Sequence, residues 1–454
     1  MFNWKRGGMP LVAAWLVACP LSHAAADNTS GNDRVAVHEV QDPVGRIEFA
    51  EPTGPLALHD ALALALVNSP ALARWSIEIK IAEAEVLQAG FRPNPELGAS
   101  YENFGGTGEV GGFGGSEATI ALSQLVELGG KRTARSSVGR VTREVAGWDY
   151  EIARIDVLTE TANAFTAVLA AQEHLTLASE LAEVAEDVLE SVARRVQAGA
   201  TSPVEQSRAR VELATSRVEE TAARHALLAA RIALSANWGT EKPVFETAVG
   251  NLEQVPSIPP REVLRAALEE SPSIARWAAE LDRREAERDL ARAEGSLDVS
   301  VGAGVRYFSD TDDAAFLVEL GIPLRIFDRN QGAVRAAELR VKQAEQENRA
   351  ASTRMLTRLF RIHETLLAAA DEVAALRDIA LPEAEKAFEA AQATYLRGSI
   401  RFTDVLDTER MLFELSSRYL DALVRYHHTV SELERLTGTP ITRPPGNTGE
   451  LDNG

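Results

Sequence analysis

Two aspartates, Asp404 and Asp407, are the residues whose type and spacing most directly indicate chemistry. Residues three apart on a helix lie on the same face, so the two carboxylates would present one acidic surface. Carboxylate rings near a constriction attract cations and can bind a blocking multivalent cation. An ordinary acidic helix start is the alternative, because Asp is favoured near helix N-termini. The spacing by itself leaves both interpretations open.

Other constellations that would support catalysis or cofactor binding do not occur in the sequence. There is no Ser-His-Asp elbow and no P-loop, and the glycine-rich run 105–115 lacks the following helix of a dinucleotide site and is expected to be an external loop. His427 and His428 are adjacent, so they point to different helix faces and cannot chelate as an i, i+4 pair would. The net charge of −20 argues against nucleic-acid binding, which needs a basic patch. We expect no enzyme activity, no cofactor, no metal site and no nucleic-acid partner.

The N-terminus has the parts of a secretory signal. A positively charged start precedes an apolar stretch over residues 9–21 and alanines at 24–26, so we expect residues 1–26 to be a signal peptide. The single cysteine, Cys19, ends a Leu-Val-Ala-Cys sequence that resembles a bacterial lipobox. Lipidation of Cys19 after cleavage before it, and cleavage after Ala24 or Ala26, are the two alternatives. The apolar stretch at 9–21 is too short to span a bilayer as a helix, and no apolar run elsewhere in the sequence reaches the roughly 18 residues that a transmembrane helix needs.

The chain contains an internal duplication. Ser-Pro-Ala-Leu-Ala-Arg-Trp at 69–75 recurs as Ser-Pro-Ser-Ile-Ala-Arg-Trp at 271–277, and Glu-Ala-Glu follows both copies at the same offset. The period is too long for a solenoid, so the chain is a duplicated half-protein. The expected divisions are an N-terminal tail at 27–55, a first repeat at 56–250, a linker at 251–260, a second repeat at 261–437 and a C-terminal tail at 438–454.

Each repeat contains two segments in which apolar side chains alternate with polar ones or glycine, as in a β-strand with two different faces. Their length matches the roughly 9–11 residues with which a tilted strand crosses a bilayer. The predicted strands cover residues 96–104 and 116–126 in the first repeat, and residues 297–308 and 314–324 in the second.

Long amphipathic helices follow each pair of strands, because apolar residues recur there at three- and four-residue steps. At 1.5 Å per residue, a helix of about 65 residues extends roughly 100 Å. Gly199 and Gly398 are expected to end the two longest helices, and Pro382 should kink or interrupt the second. The predicted helices cover residues 131–198 and 203–236, then 331–397 and 402–437.

The number of strands indicates an oligomer. Four strands cannot close, and an open sheet edge is not tolerated in hydrocarbon, where each unpaired backbone group costs several kcal/mol. Bacterial barrels begin at eight strands, and an eight-stranded barrel is filled by its own side chains. Three chains, supplying twelve strands, would leave a lumen. Two β-hairpins on a periplasmic coiled-coil scaffold without a pore are the alternative.

Three motifs in this duplicated frame resemble the TolC-type outer-membrane efflux family, in particular the heavy-metal (cobalt-zinc-cadmium) branch of resistance-nodulation-division tripartite pumps. The resemblance covers essentially the whole mature chain. Two motifs follow the second and fourth strands, and the third contains a turn glycine followed by Asp-x-x-Asp. They are Glu-Leu-Gly-Gly-Lys-Arg at 127–132, Ile-Pro-Leu-Arg-Ile-Phe-Asp-Arg-Asn-Gln-Gly at 322–332, and Tyr-Leu-Arg-Gly-Ser-Ile-Arg-Phe-Thr-Asp-Val-Leu-Asp at 395–407.

The resemblance implies a mainly α fold with membrane β-structure. Three chains would form a 12-stranded β-barrel in the Gram-negative outer membrane, continuous with a 12-helix α-barrel that projects into the periplasm. The expected partners are two further copies, outer-membrane lipid, a periplasmic adaptor (membrane fusion protein) and an inner-membrane resistance-nodulation-division pump. The implied function is a passive export duct for divalent heavy-metal cations. A duct for drugs or proteins in the same family is the alternative.

The resemblance also implies roles for residues at the inner end of the helices. Asp404 and Asp407 match the rings of the periplasmic pore aperture. Glu205 and Tyr395 match a gating latch, to which Arg397 and Arg401 would add charge. Ile400 stands where the family has a basic residue, and the latch departs from the family pattern there. The turns expected to contact the adaptor contain Gly199, Ser202, Pro203, Gly398 and Ser399.

Overall fold

The computed structural model describes residues 51–440. The predicted signal peptide, Cys19, most of the N-terminal tail and residues 441–454 of the C-terminal tail lie outside the described residues. No helix of the described part is long and apolar enough to cross a membrane. In chain order the elements are β1 (Leu56–Ala57), α1 (Leu58–Asn68), α2 (Pro70–Ala89), β2 (Glu96–Glu102), β3 (Glu117–Val126), α3 (Lys131–Gln197), α4 (Pro203–Ala236), β4 (Ala248–Val249), α5 (Arg261–Glu269), α6 (Pro272–Glu294), β5 (Val299–Phe308), β6 (Asp313–Gly321), α7 (Gln331–Ala375), α8 (Leu381–Leu396) and α9 (Phe402–Thr437).

The duplication is visible in the order of the elements. Two short helices, a hairpin, a long helix and a returning helix occur in the first repeat and again in the second. The two copies of the Ser-Pro heptapeptide begin α2 and α6, with the proline in the first turn of each helix. The short helices α1, α2, α5 and α6 have no counterpart among the predicted elements, although proline is favoured at the first helical position and signals a helix start.

The two hairpins join into one antiparallel four-stranded sheet in the order β2-β3-β5-β6. Its register aligns apolar residues across all four strands, in rows such as Ala99–Ile120–Val305–Phe316 and Leu97–Leu122–Ala303–Val318. β2 and β6 end earlier than predicted, at Glu102 and Gly321. Asn103 turns the chain with a positive φ of 55°, and Pro323 has no N–H with which to continue a strand ladder.

The long helix of the second repeat is interrupted, unlike α3, which is continuous over 67 residues. A π-helical turn at Leu376–Ala380 separates α7 from α8, next to Pro382, where the sequence predicted a kink or an interruption. Pro382 lies at the start of α8. Proline has no N–H and cannot donate to the carbonyl of Asp378, four residues earlier. Asp378 lies within the π-helical turn, which has a wider hydrogen-bond spacing than an α-helix.

Three apolar clusters hold the helices together. One joins α5, α7 and α9 around Leu359 and Leu423, and one joins α1, α3 and α4 around Phe245 and Trp238. The third lies where α3 turns into α4 and α8 turns into α9. We call it the tip cluster, and its buried members are Val192, Ala209, Tyr395, Phe402, Val405 and Leu406.

Candidate functional site

The two helix turns beside the tip cluster have the same backbone geometry. Gly199 and Gly398 adopt positive φ angles of 66° and 79°. The amide after each glycine donates back into the last turn of the preceding helix, from Ala200 to Arg195 O at 2.8 Å and from Ser399 to Thr394 O at 3.2 Å. This arrangement satisfies the last carbonyls of a helix and needs a residue that tolerates the left-handed conformation. The duplication therefore gives two equivalent hairpins, α3–α4 and α8–α9.

The residues after each turn cap the returning helix. The Ser202 hydroxyl accepts from the Val204 amide at 3.2 Å, and Pro203 occupies the first turn of α4. At the start of α9, the Asp404 carboxylate accepts from the Arg401 amide at 3.1 Å, and the Asp404 amide donates to the Arg401 carbonyl at 3.1 Å. These contacts give Ser202 and Pro203 a structural role in ending the turn. Their contact with an adaptor stays a prediction.

The expected latch residues Glu205 and Tyr395 lie in contact. The Tyr395 hydroxyl donates to Glu205 Oε2 at 3.3 Å, and the Thr201 hydroxyl donates to the same oxygen. Tyr395 is only 6% exposed, and burial, together with the charge of Glu205, raises the pKa of its hydroxyl. Arg397 is not part of this contact, because it donates to the Thr394 hydroxyl at 3.1 Å.

Arg195 is a site residue that the sequence analysis did not identify. Its guanidinium carbon lies 4.6 Å from the centre of the Tyr395 ring, and its Nη1 donates to the Tyr395 carbonyl at 2.9 Å. The last turn of α3 therefore holds the last turn of α8 by two contacts. A basic residue at a helix C-terminus is a weak sequence signal, and Arg194 carries the same signal without these contacts.

The two aspartates have different surroundings. Asp404 accepts from the Arg401 amide at 3.1 Å and from Arg401 Nη2 at 3.0 Å. The amide bond and then the guanidinium hold the pKa of Asp404 below its usual value. Asp404 therefore caps the start of α9, and its place in a pore aperture stays a prediction. Asp407 is exposed and lines a groove of about 430 Å³ between α4 and α9, together with Arg208 and Arg410.

Ile400, which replaces an expected basic residue, packs partly buried against the tip cluster. An apolar side chain gains by leaving water here, whereas a charged one would need a partner. The departure from the family pattern therefore exchanges a charge contact for apolar packing within the hairpin.

A second contact between the hairpins links α9 to α4. Arg410 Nη2 donates to Glu212 Oε2 at 2.6 Å, and the neighbouring Glu409 is buried beneath this pair. The sequence analysis predicted none of Arg410, Glu212 and Glu409 as part of the site. A glutamate in the apolar stripe of α9, three residues after Leu406, is the sequence signal that identifies Glu409.

The junction motifs hold the sheet on the helices. Lys131 Nζ, at the start of α3, lies 2.5 Å from Asp298 before β5. Glu127 pairs with Arg135, and this hydrogen bond holds the pKa of Glu127 below its usual value. Gly129 has a positive φ of 69°, and a Cβ there would lie 2.1 Å from the Ser296 hydroxyl oxygen. The motif is therefore a structural connection between strand and helix.

The histidine pair occupies two separate environments. His427 Nε2 lies 2.7 Å from Leu252 O, and His428 Nε2 lies 3.4 Å from Asn163 O. Burial lowers the pKa of His427. Across residues 51–440, no group of three or more His, Cys, Asp or Glu side chains is arranged to hold a metal ion.

Comparisons with known proteins agree with these features. The family model described as outer membrane efflux protein matches residues 61–240 and 263–439, one match in each repeat. The chain is 34% identical over 388 residues to the cobalt-zinc-cadmium resistance protein CzcC of Cupriavidus metallidurans, covering 86% of this chain and 91% of CzcC. It is 33% identical over 307 residues to the nickel and cobalt resistance protein CnrC of the same species, covering 67% of this chain and 71% of CnrC.

The fold is similar to that of a solved channel protein. A crystal structure of CusC superposes with a TM-score of 0.73 at 19% identity, covering 84% of this chain and 92% of that chain. The resemblance carried by the three motifs is confirmed by these matches. The chain belongs to the outer membrane efflux protein family.

Proposed function

We propose that this protein is the outer-membrane component of a tripartite efflux system and that three copies form a passive export duct for divalent heavy-metal cations. An outer-membrane location and a role in efflux follow from family membership. The trimer, the barrel, the partners, the site residues and the transported ions are our proposals. The observation that carries the proposal is the four-stranded sheet, with one apolar face and two edges that have no partner strand within residues 51–440.

The apolar face of the sheet is highly exposed, and exposed apolar surface is unfavourable in water. On β6, Phe316 is 92% exposed and Val318 is 81% exposed, and the rows that contain them continue across all four strands. A contiguous exposed apolar surface marks contact with a membrane or a protein. The opposite face contains Ser100, Thr119 and Arg306, with Arg306 Nη1 3.1 Å from Glu117 Oε2. Apolar-out and polar-in alternation is the pattern of a membrane barrel.

The edges of the sheet supply the argument for three copies. β2 and β6 have no outer partner strand within residues 51–440. Inside the chain, the last strand of the first hairpin, β3, pairs with the first strand of the second, β5. The same pairing, repeated from β6 to β2 of the next copy, would satisfy both edges. Four strands from each of three copies give twelve, which leaves a lumen that eight would fill.

The metal preference rests on the relatives and on the acidic residues at the turns. CzcC and CnrC are named for resistance to cobalt, zinc and cadmium and to nickel and cobalt. In a trimer, three copies each of Asp404 and Asp407 would form two acidic rings at the inner end of the helical duct, and carboxylate rings favour cations. An inner-membrane pump, joined to the duct by an adaptor, would supply the energy for export. The duct itself would catalyse no reaction.

The experiment is reconstitution of the purified protein. We expect trimers that resist heating in detergent and conduct in planar bilayers with a preference for cations. Asp407→Asn should reduce the preference, and Glu414→Gln, an exposed acid on the same helix, is the matched control. Protein that stays monomeric or does not conduct would support the scaffold alternative and overturn the proposal.

Substrate class is tested in cells that lack the gene. Restoring the gene should restore tolerance of zinc, cobalt or cadmium, and Asp407→Asn should restore it less well than Glu414→Gln does. Restored tolerance of drugs without restored tolerance of metals would support the alternative duct and contradict the metal assignment.

We also propose that the Glu205–Tyr395 contact helps to hold the hairpins closed. A single hydrogen bond of this length contributes about 0.5–1.5 kcal/mol, so its effect depends on repetition in three copies. Glu205→Ala and Tyr395→Phe should each raise the single-channel conductance of the purified trimer. Unchanged conductance in both variants would end the latch hypothesis.

A further inference from the structure

A buried glutamate interrupts the apolar stripe of α9. Phe402, Val405 and Leu406 face the tip cluster, and Glu409 continues the same face one turn later, at a position where an apolar residue is expected. Glu409 is only 4% exposed. Both of its carboxylate oxygens are buried without a hydrogen-bond partner among the described residues. An ionised carboxylate is costly in such a place, and neutralisation by a proton removes most of that cost.

Other charged side chains lie around Glu409, and their interactions with it depend on whether it is protonated. It lies beside a cavity of about 280 Å³ between α3, α4 and α9. α3 contributes Leu181, α4 contributes Glu212, Thr215 and Glu219, and α9 contributes Arg410 and Phe413. Burial, with a further contribution from the Glu212 charge, raises the pKa of Glu409 to about 7, and Arg410 opposes the rise. Glu409 therefore changes its charge within the neutral pH range.

We propose that Glu409 is a proton-operated switch that sets how firmly α9 packs against α4. With the proton bound, Glu409 is neutral, and Arg410 on α9 bonds to Glu212 on α4 at 2.6 Å. When the carboxyl group releases its proton to water, the new negative charge repels Glu212 and competes for Arg410. Both effects weaken the Arg410–Glu212 contact that joins the two helices, and the α8–α9 hairpin loosens.

The position of the switch gives it a consequence for transport. Glu409 follows Asp407 by two residues on the same helix and faces inward, whereas Asp407 is exposed. A change in the packing of α9 therefore moves the candidate aperture, which would be tighter in acid than in base. This consequence rests on the proposed channel function, but the titration of Glu409 and its effect on packing do not.

The test compares Glu409→Gln, which keeps the shape and removes the charge, with Glu414→Gln, an exposed acid on the same helix. Infrared difference spectra of the purified wild-type protein should show a protonated carboxyl C=O band that disappears as the pH rises through about 7. The band should be absent from Glu409→Gln and present in Glu414→Gln. Glu212→Gln should move its disappearance to lower pH, because it removes the repelling charge and frees Arg410.

Stability and conductance provide the functional readouts. The melting temperature of the wild type should fall by several degrees across the same pH interval, relative to Glu409→Gln. If Glu409→Gln does not fold, Glu409→Met serves as the neutral variant. A wild-type band that disappears below about pH 5, as for an ordinary glutamate, or a pH dependence equal in wild type and variant, would overturn the proposal. Trimers that never conduct would overturn the channel function alone and leave the titration of Glu409 intact.

Discussion

Replacing Arg195 by methionine tests whether α3 holds α8 at the helix turns. Methionine keeps much of the stem and removes the guanidinium. The structure assigns two contacts to that group, the stack on the Tyr395 ring at 4.6 Å and the bond to the Tyr395 carbonyl at 2.9 Å. A cation–π contact is worth about 0.5–2 kcal/mol, and a hydrogen bond to a charged group is worth about 1.5–3 kcal/mol. Because Arg195 is half-exposed, we take the low end, about 2 kcal/mol in total.

A loss of about 2 kcal/mol corresponds to a roughly thirtyfold increase in the population of molecules in which the α8–α9 turn has separated from α3. Hydrogen exchange reads this population directly. The amides of Gly398 and Ser399 bond to Tyr395 O and Thr394 O, so they exchange only when the turn opens. Mass spectrometry of a peptide spanning 395–402 should therefore show exchange accelerated about thirtyfold in Arg195→Met.

Arg194→Met is the matched control for this experiment. Arg194 is 71% exposed and lies 3.6 Å from Glu190 in an i, i+4 pair, an arrangement worth about 0.3–0.5 kcal/mol. Its replacement should change the exchange of residues 395–402 by less than about threefold. Equal exchange rates in the two variants would refute the inference that Arg195 holds the hairpins together.

The remaining predictions concern three other positions. Gly398→Ala should lower the free energy of unfolding by about 1–2 kcal/mol, measured by denaturant titration, because alanine is strained at a φ of 79°, although a Cβ there would make only an ordinary contact with Arg195 Nη2 at 4.0 Å. Phe316→Asp should prevent assembly into heat-resistant trimers in lipid, whereas Glu319→Asp, on the opposite face of the same strand, should not. For Glu409, the folded pKa of about 7 lies above the ordinary 4.5, so the folded protein retains the proton longer than the unfolded chain does. Stability should therefore be full below about pH 4.5 and fall by about 3 kcal/mol as the pH rises through 7, and Glu409→Gln should abolish that fall in pH-dependent unfolding curves.

Particular residues show how far the sequence could predict the fold. The α3 periodicity and the strand alternation are local patterns that repeat many times, so they identify the type of element well. The end of β6 depends on one residue, Pro323. The break in the second long helix lies next to Pro382, where proline predicted a kink or an interruption but not the exact bounds of the π-helical turn. Such single positions determine element boundaries, which patterns predict least well. The short helices α1 and α5 pack into larger apolar clusters, and their stability comes from that packing more than from their own sequences.

The residues of the candidate site could be predicted where the family motif contains them. Contacts between distant segments that no motif contains could not be predicted. Glu205 and Tyr395 were expected together from the family resemblance, and they meet at 3.3 Å. Asp404 in the aperture stays a prediction, and its hydrogen bonds from Arg401 were not expected. Its capping role depends on the rotamer of a neighbouring side chain, which the motif does not specify.

The sequence by itself determined the duplication, the alternating strands, the long amphipathic helices and the glycine turns, because each is a property of neighbours along the chain. Only the tertiary structure decided which side chains meet across those elements. Arg195 and Tyr395 are 200 residues apart, and Glu212 and Arg410 are 198 apart. Periodicity identifies the face on which a residue lies, but the partner on the facing helix depends on the relative axial position of two helices. That position is set by the packing of the tip cluster as a whole, and with it the burial of Glu409.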